Sequence, residues 1–233
     1  MSEKRSKPGR PAARSRGDGS RRPLGVQGAR TRTRLLEAAR EVFGERSYLA
    51  TRVDDITKSA GMSHGAFYLY FESKAEVLEA LALETAERMY RLAEELDAVE
   101  EGERGFQQLR NWIGEFFDIY QHDAPVLVAW MSARPEDERF DKLGREVMAR
   151  FAGRMAKTIQ RAIAHGHAHP VDPGIAATAL VAMLERLSYY WFVRGATLKR
   201  ADVLDTVAAI WHQAIFGRPH TVNGLEIVAD ASR

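Results

Sequence analysis

The segment Val53–Leu78, VDDITKSAGMSHGAFYLYFESKAEVL, constrains the fold more than any other part of the chain. Val53, Ile56 and Ala60 fall at i, i+3 and i+7, one face of a helix. Thr51 and Asp54 have the spacing of a capping box at its start. Gly61 supplies the left-handed turn that other residues adopt only at a cost. Ser63 is a good N-cap for the next helix, where Phe67 and Phe71, four apart, occupy the buried face. Ser73 is a third cap, with Glu76 three residues on as a second capping box. Helix, glycine-containing turn and helix is the layout of a helix-turn-helix whose second helix enters the DNA major groove.

A rival motif lies inside the same stretch. Gly61-Met62-Ser63-His64-Gly65 fits G-x-S-x-G, the nucleophile elbow of α/β-hydrolases. That motif works only at a sharp strand-to-helix turn. The preceding segment reads as helical and no set of parallel strands is evident, so Ser63 is read as a cap and a phosphate contact. No catalytic constellation is expected, and hence no enzyme.

Composition narrows the class. Of 233 residues, 45% are hydrophobic and 28% charged, the balance of an ordinary globular protein. The chain contains no cysteine, which removes disulfides and thiolate metal sites. No apolar run would span a bilayer and the N-terminus carries no signal-peptide core, so a cytoplasmic protein without a membrane partner is expected. The net charge is only +2, but eight Lys and Arg against two acids between Met1 and Arg22 put about +6 on the N-terminal arm. A basic arm on a near-neutral body points to a polyanion partner at one end.

That arm, residues 1–29, is rich in Arg, Pro, Gly and Ser and is expected to be disordered when free. Its Lys7-Pro8-Gly9-Arg10-Pro11 either places a flat Arg in a narrow minor groove or only neutralises phosphates, touching DNA in both cases. Thr31–Glu45 reads as the first helix, buried through Leu35, Leu36, Ala39, Val42 and Phe43, with Arg30 or Thr31 near a phosphate. Arg52 and Lys58 are further candidates for the DNA backbone, and Lys74 at a helix start is a natural phosphate seat.

The spaced residues A-G-M-S-x-G-x-F-Y-x-Y-F-x-S-K-x-x-V-L resemble the DNA-binding signature of the TetR family of transcriptional regulators. The resemblance covers roughly Thr31–Leu81. Two positions depart from it: Ser47 stands where Gly is usual, and Thr57 where Ala is common. It implies an all-α fold, with a helix-turn-helix domain (residues 30–75) ahead of an effector-binding and dimerisation domain (76–217) and a loose tail (218–233). It also implies that His64, Gly65 and Ala66 face base edges while Tyr68 and Tyr70 meet phosphates. The small Gly65 and Ala66 let the helix approach closely.

Beyond the signature, helical periodicity predicts a long helix from Ser73 to about Glu101, Phe106–Gln121, a short Ala124–Ser132 opened by Pro125, Phe140–His165, Gly174–Val193 and Arg200–Phe216. The last two are apolar almost all round. They are expected to pair with their twins in a second copy as a C2 homodimer, with Glu185 and Arg186 a buried or cross-dimer ion pair. Their sequences M-L-E-R-L-S-Y-Y-W-F and V-L-D-T-V-A-A-I-W are faintly similar to the ethionamide-resistance-regulator branch. His165, His167 and His169 sit in a loop at alternate spacing without a carboxylate set, so no metal site and no cofactor are expected.

Family resemblance also implies an effector pocket among the middle helices. Met89, Trp112, Phe116, Tyr120, Trp130, Met131, Phe151, Met155, Met183 and Tyr189 are the large residues beyond what a plain core needs, and they favour a lipophilic small molecule. The expected function is a repressor bound to double-stranded operator DNA of palindromic sequence. A nonspecific or architectural DNA binder is the alternative.

Overall fold

In the computed structural model, residues 25–95, 99–135, 137–167 and 171–217 are described. They form eight α-helices and no strand: α1 (Val26–Glu45), α2 (Val53–Ser59), α3 (His64–Phe67), α4 (Lys74–Glu94), α5 (Gly102–Ala133), α6 (Glu138–Ala164), α7 (Pro173–Ser188) and α8 (Arg200–Phe216). The all-α expectation holds. The N-terminal arm up to residue 24, the tail from residue 218, Leu96 and His169 lie outside the described residues.

Several boundaries differ from the sequence reading. Helix α1 starts at Val26, so Arg30 and Thr31 lie within the helix and not at its end. The Thr31 and Thr33 hydroxyls donate to the carbonyls of Gln27 and Ala29, one turn back. Phe106–Gln121 and Ala124–Ser132 are one continuous helix, α5, with Pro125 inside it. Proline removes one helix hydrogen bond; its ring instead packs on α1 at Gly44, where an added Cβ would stand 3.3 Å from Pro125 Cγ. After Ser188 the chain continues as a π-helical turn, Tyr189–Val193.

Two apolar cores organise the helices. The first packs Leu35, Ala39 and Phe43 of α1 with Ile56, Phe67 and Phe71, then runs past residue 75 into Val77, Leu78 and Leu81 of α4. It also takes in Val126, Ala129 and Trp130 of α5 and Phe140 of α6. The second joins Met89 and Leu92 of α4 to Trp112, Ile113, Phe116 and Phe117 of α5, Met155 and Ile159 of α6, Leu180 and Leu184 of α7, and Trp211 of α8. Helices α4, α5 and α6 therefore belong to both cores, and any shift of one of them is felt at both ends.

Ion pairs reinforce this frame. The fully buried Asp123 carboxylate of α5 accepts from Arg40 of α1 and from Arg88 of α4. Trp130 Nε1 donates to Phe140 O at 2.7 Å, fastening the end of α5 to the start of α6. Helix α8 is held to α5 by Arg200, which reaches Asp118 at 2.7 Å and Gly114 O at 3.1 Å.

Candidate DNA interface and effector cavity

The reading head is built from turn chemistry. Ser47 accepts at its carbonyl from the Thr51 amide and hydroxyl, both at 3.1 Å, and at its hydroxyl from Ala50 N–H, so it organises the turn without glycine. The capping box of α2 is not Thr51 and Asp54 as its spacing suggested. Arg52 is the N-cap residue, and its N–H donates to the Asp55 carboxylate at 2.9 Å, while Thr51 is buried and turned back to Ser47. Thr57 is buried too, its hydroxyl donating to Asp54 O at 3.1 Å, which satisfies the polar atom where alanine would need nothing.

Gly61 has φ +60°, the left-handed turn its position predicted. Ser63 caps α3 by accepting from Ala66 N–H at 3.2 Å. Helix α2 precedes it, so the strand-to-helix elbow a hydrolase needs is absent at this serine. Ser73 caps α4 by accepting from Glu76 N–H, while Glu76 reaches back to Glu72 N–H, one residue earlier than a strict capping box.

Phe67 and Phe71 are buried, which leaves the opposite side of α3 and its following turn to solvent. Ser63, His64, Gly65 and Tyr68 are exposed there, with Arg52 exposed on the neighbouring α2. A Cβ on Gly65 would meet nothing within 4 Å, so the surface is open at that point. Ala66 and Tyr70 are half-buried, Tyr70 packing against the first core. The His64 ring joins the group together: Nδ1 lies 2.6 Å from an Asp54 carboxylate oxygen, Nε2 lies 3.1 Å from the Tyr68 hydroxyl, and the two rings stack at 5.1 Å. Leu69, which the sequence reading passed over, is 73% exposed on the same head.

Lys74 is placed differently from the expected phosphate seat. Its ammonium donates to the carbonyls of Tyr48 at 2.8 Å, Thr51 at 2.9 Å and Leu49 at 3.4 Å, and lies 4.5 Å from the Tyr48 ring centroid. Three carbonyls of one turn outcompete water for the three ammonium hydrogens. Lys74 thus ties the start of α4 to the α1–α2 turn.

A cavity of about 430 Å³ opens between α4, α5, α6 and α7. Met89, Phe116, Tyr120, Trp130, Met131 and Phe151, six of the ten expected residues, line it. The other four are elsewhere. Trp112 stacks on Phe116 and donates to Leu92 O, Met155 is buried in the second core, Met183 packs on that core from outside, and Tyr189 lies under the Arg186 guanidinium. Leu127, Val147, Met148 and Val181 complete the apolar wall, with Thr85, Arg134, Glu185 and Arg186 as its polar members. The first four were invisible as lining because aliphatic residues at helical spacing read as core. Within the single chain Glu185 and Arg186 are not a buried pair: the Arg186 side chain is 61% exposed and stands 4.0 Å from Glu185.

Elsewhere, the His165 and His167 rings are 6.1 Å apart, and His165 Nδ1 lies 2.7 Å from Arg161 O. Among the described residues no three His, Asp or Glu converge as a metal site, and no helix is long and apolar enough to cross a membrane.

An exposed recognition segment behind a glycine turn, within three helices joined to a larger helical body with a cavity between its helices, defines a helix-turn-helix regulator. Comparison with known proteins is specific. Residues 35–81 match the model of bacterial regulatory proteins of the tetR family, and residues 109–217 match the C-terminal domain of the transcriptional regulator EthR. The chain belongs to the TetR family of transcriptional regulators. The HTH-type transcriptional regulator EthR of Mycobacterium tuberculosis is 29% identical over 189 residues, 78% of this chain and 86% of that protein. The regulator UidR of Escherichia coli is 41% identical over 58 residues, 25% of this chain and 30% of its own length. In fold, the chain is similar to the TetR-family regulator PfmR of Thermus thermophilus (TM-score 0.66, 21% identity, covering 78% of this chain and 98% of that one).

Proposed function

We propose that this DNA-binding transcriptional regulator is a homodimeric repressor that holds a palindromic operator and is released by a lipophilic small molecule. The observation that carries the reading is the double attachment of α4. Its first residue, Lys74, holds the α1–α2 turn of the reading head, and Met89, four turns on, lines the cavity. A ligand that fits only a shifted α4 therefore selects a head position that no longer matches the operator.

In this reading Arg52, Ser63, Tyr68 and Tyr70 position the head on phosphates, and His64, Gly65 and Ala66 meet the groove. The dimer is supported by the outward faces of the last two helices. Ile175 of α7, Tyr190 just after it and Ile210 of α8 are exposed in one chain, and covering them with a second copy removes them from water. Nonspecific DNA binding through the basic arm is the competing reading, and it predicts steep salt dependence with little sequence preference.

Sedimentation of the protein with operator DNA, paired with a nuclease footprint, tests the proposal. A two-fold symmetric footprint at an integral number of protein dimers is expected. A footprint without symmetry, formed by single chains, would reject it.

A further inference from the structure

The cavity walls are apolar, but their few polar groups are unequally matched. Tyr120 is 97% buried by the surrounding helices, being only 3% exposed, and its hydroxyl has no hydrogen-bond partner among the described residues. Thr85 donates its hydroxyl hydrogen to Leu81 O at 3.1 Å, so it offers the cavity only lone pairs. Glu185 presents a carboxylate whose nearest cation, Arg186, stands off at 4.0 Å and lies over the Tyr189 ring, mostly in solvent. The remaining cation of the lining, Arg134, is already held by Asp141 through Nε at 3.1 Å and Nη2 at 2.6 Å.

The free valences of the wall are thus the weakly compensated Glu185 carboxylate, the Thr85 lone pairs and the Tyr120 hydroxyl, which can donate as well as accept. Burial, and after it the Glu185 carboxylate, raise the Tyr120 hydroxyl above its ordinary value of 10, so the phenol remains neutral and adds no second anion. A carboxylate brought to this end of the cavity would face Glu185, with Arg134 held by Asp141 and Arg186 lying over the Tyr189 ring, mostly in solvent. An ammonium would find the carboxylate and the Tyr120 oxygen, beside the Phe116 and Tyr120 side chains.

We infer that the cavity prefers an apolar molecule ending in a protonated amine over an alcohol, and an alcohol over a carboxylate, of the same length, with Glu185 as the residue that discriminates. This rests on the reading of the cavity as the effector site and adds the chemistry of the effector's polar end.

The test uses decylamine, decanol and decanoate, each below its aggregation concentration. Binding is followed by the heat released in isothermal titration, in the native protein and in Glu185→Gln and Tyr120→Phe. The amine should bind about tenfold tighter than the alcohol, the worth of one charge-assisted hydrogen bond, with decanoate weakest. Glu185→Gln should erase the amine's advantage while the alcohol still binds, which also shows that the variant is folded. Tyr120→Phe should weaken the amine and the alcohol together. Decanoate binding as well as the amine, or a preference that survives Glu185→Gln, would overturn the inference and leave the effector site standing. No binding of any of the three would reject the site and the inference together.

Discussion

Arg40 of α1 and Asp123 of α5, 83 residues apart in sequence, form an ion pair whose carboxylate is fully buried. Arg88 of α4 closes on the other carboxylate oxygen, with its Nε at 3.1 Å, and His122 Nδ1 stands 3.0 Å from the first. One acid therefore gathers three helices where the reading head meets the body. Tyr120 and Leu127, which flank Asp123 on α5, line the cavity. A buried carboxylate is costly unless fully bonded, so its partners cannot drift apart independently.

Asp123→Asn should remove the charge and leave two guanidiniums without their shared acceptor. The expected loss is about 3 kcal/mol, the lower end for a broken buried pair, since Arg40 and Arg88 keep some access to water. Chemical denaturation of the native and variant proteins measures it. A loss below about 1 kcal/mol, the range of surface pairs, would mean that the cluster is not structural.

Acid stability follows from the same group. Burial alone would raise the Asp123 carboxyl, but the bonds and charges of Arg88 and Arg40, with His122, outweigh it and hold the group below its ordinary value of 3.8. A carboxyl lowered by folding stabilises the native state above its unfolded pKa and loses that contribution as pH falls through the folded one. The native protein should thus lose stability more steeply below pH 3.8 than Asp123→Asn does. Parallel acid curves would contradict this.

Gly61→Ala should destabilise the head by about 1 kcal/mol, because a Cβ is strained in the left-handed region. The new Cβ would also stand 3.0 Å from Arg34 Nη2, the mobile end of a side chain that can move aside. Thermal melting reads the loss, and an unchanged melting temperature would argue against the turn geometry.

Gly144→Ala in α6 should act in the opposite direction, stabilising by roughly 0.5–1 kcal/mol through helix propensity. Its Cβ would meet only Trp130, at 3.9 Å, and Arg134, at 4.0 Å, ordinary contact distances beside the cavity. Destabilisation in the same melting assay would show that this wall is tighter than its geometry indicates.

The reading head was largely legible because each of its turns uses chemistry that local spacing reveals: Gly61 at positive φ, Ser63 and Ser73 as caps, Phe67 and Phe71 inward. The hold of Lys74 on the α1–α2 turn was not legible because its acceptors are carbonyls 23 to 26 residues earlier, and sequence spacing says nothing of carbonyl direction. Asp123 escaped for a related reason: beside Pro125 it read as a helix break, whereas its partners come from two other helices. In the cavity, six aromatic and methionine residues were found by bulk alone, while Trp112 and Met155 of the same chemistry went to the core. Only the packing of α4 through α7 decides which side chains border empty space.

The most direct measurement is selection of genomic fragments by the purified protein at moderate salt, read by sequencing and repeated with His64→Ala. His64 is exposed and bonded to Asp54 and Tyr68 within the reading head, so its removal should leave the fold intact and weaken base readout by about 1–3 kcal/mol. Strong enrichment of one or a few palindromic sites by the native protein is expected, collapsing in His64→Ala while general DNA affinity persists. Flat enrichment by the native protein, or identical sites recovered by both, would contradict it.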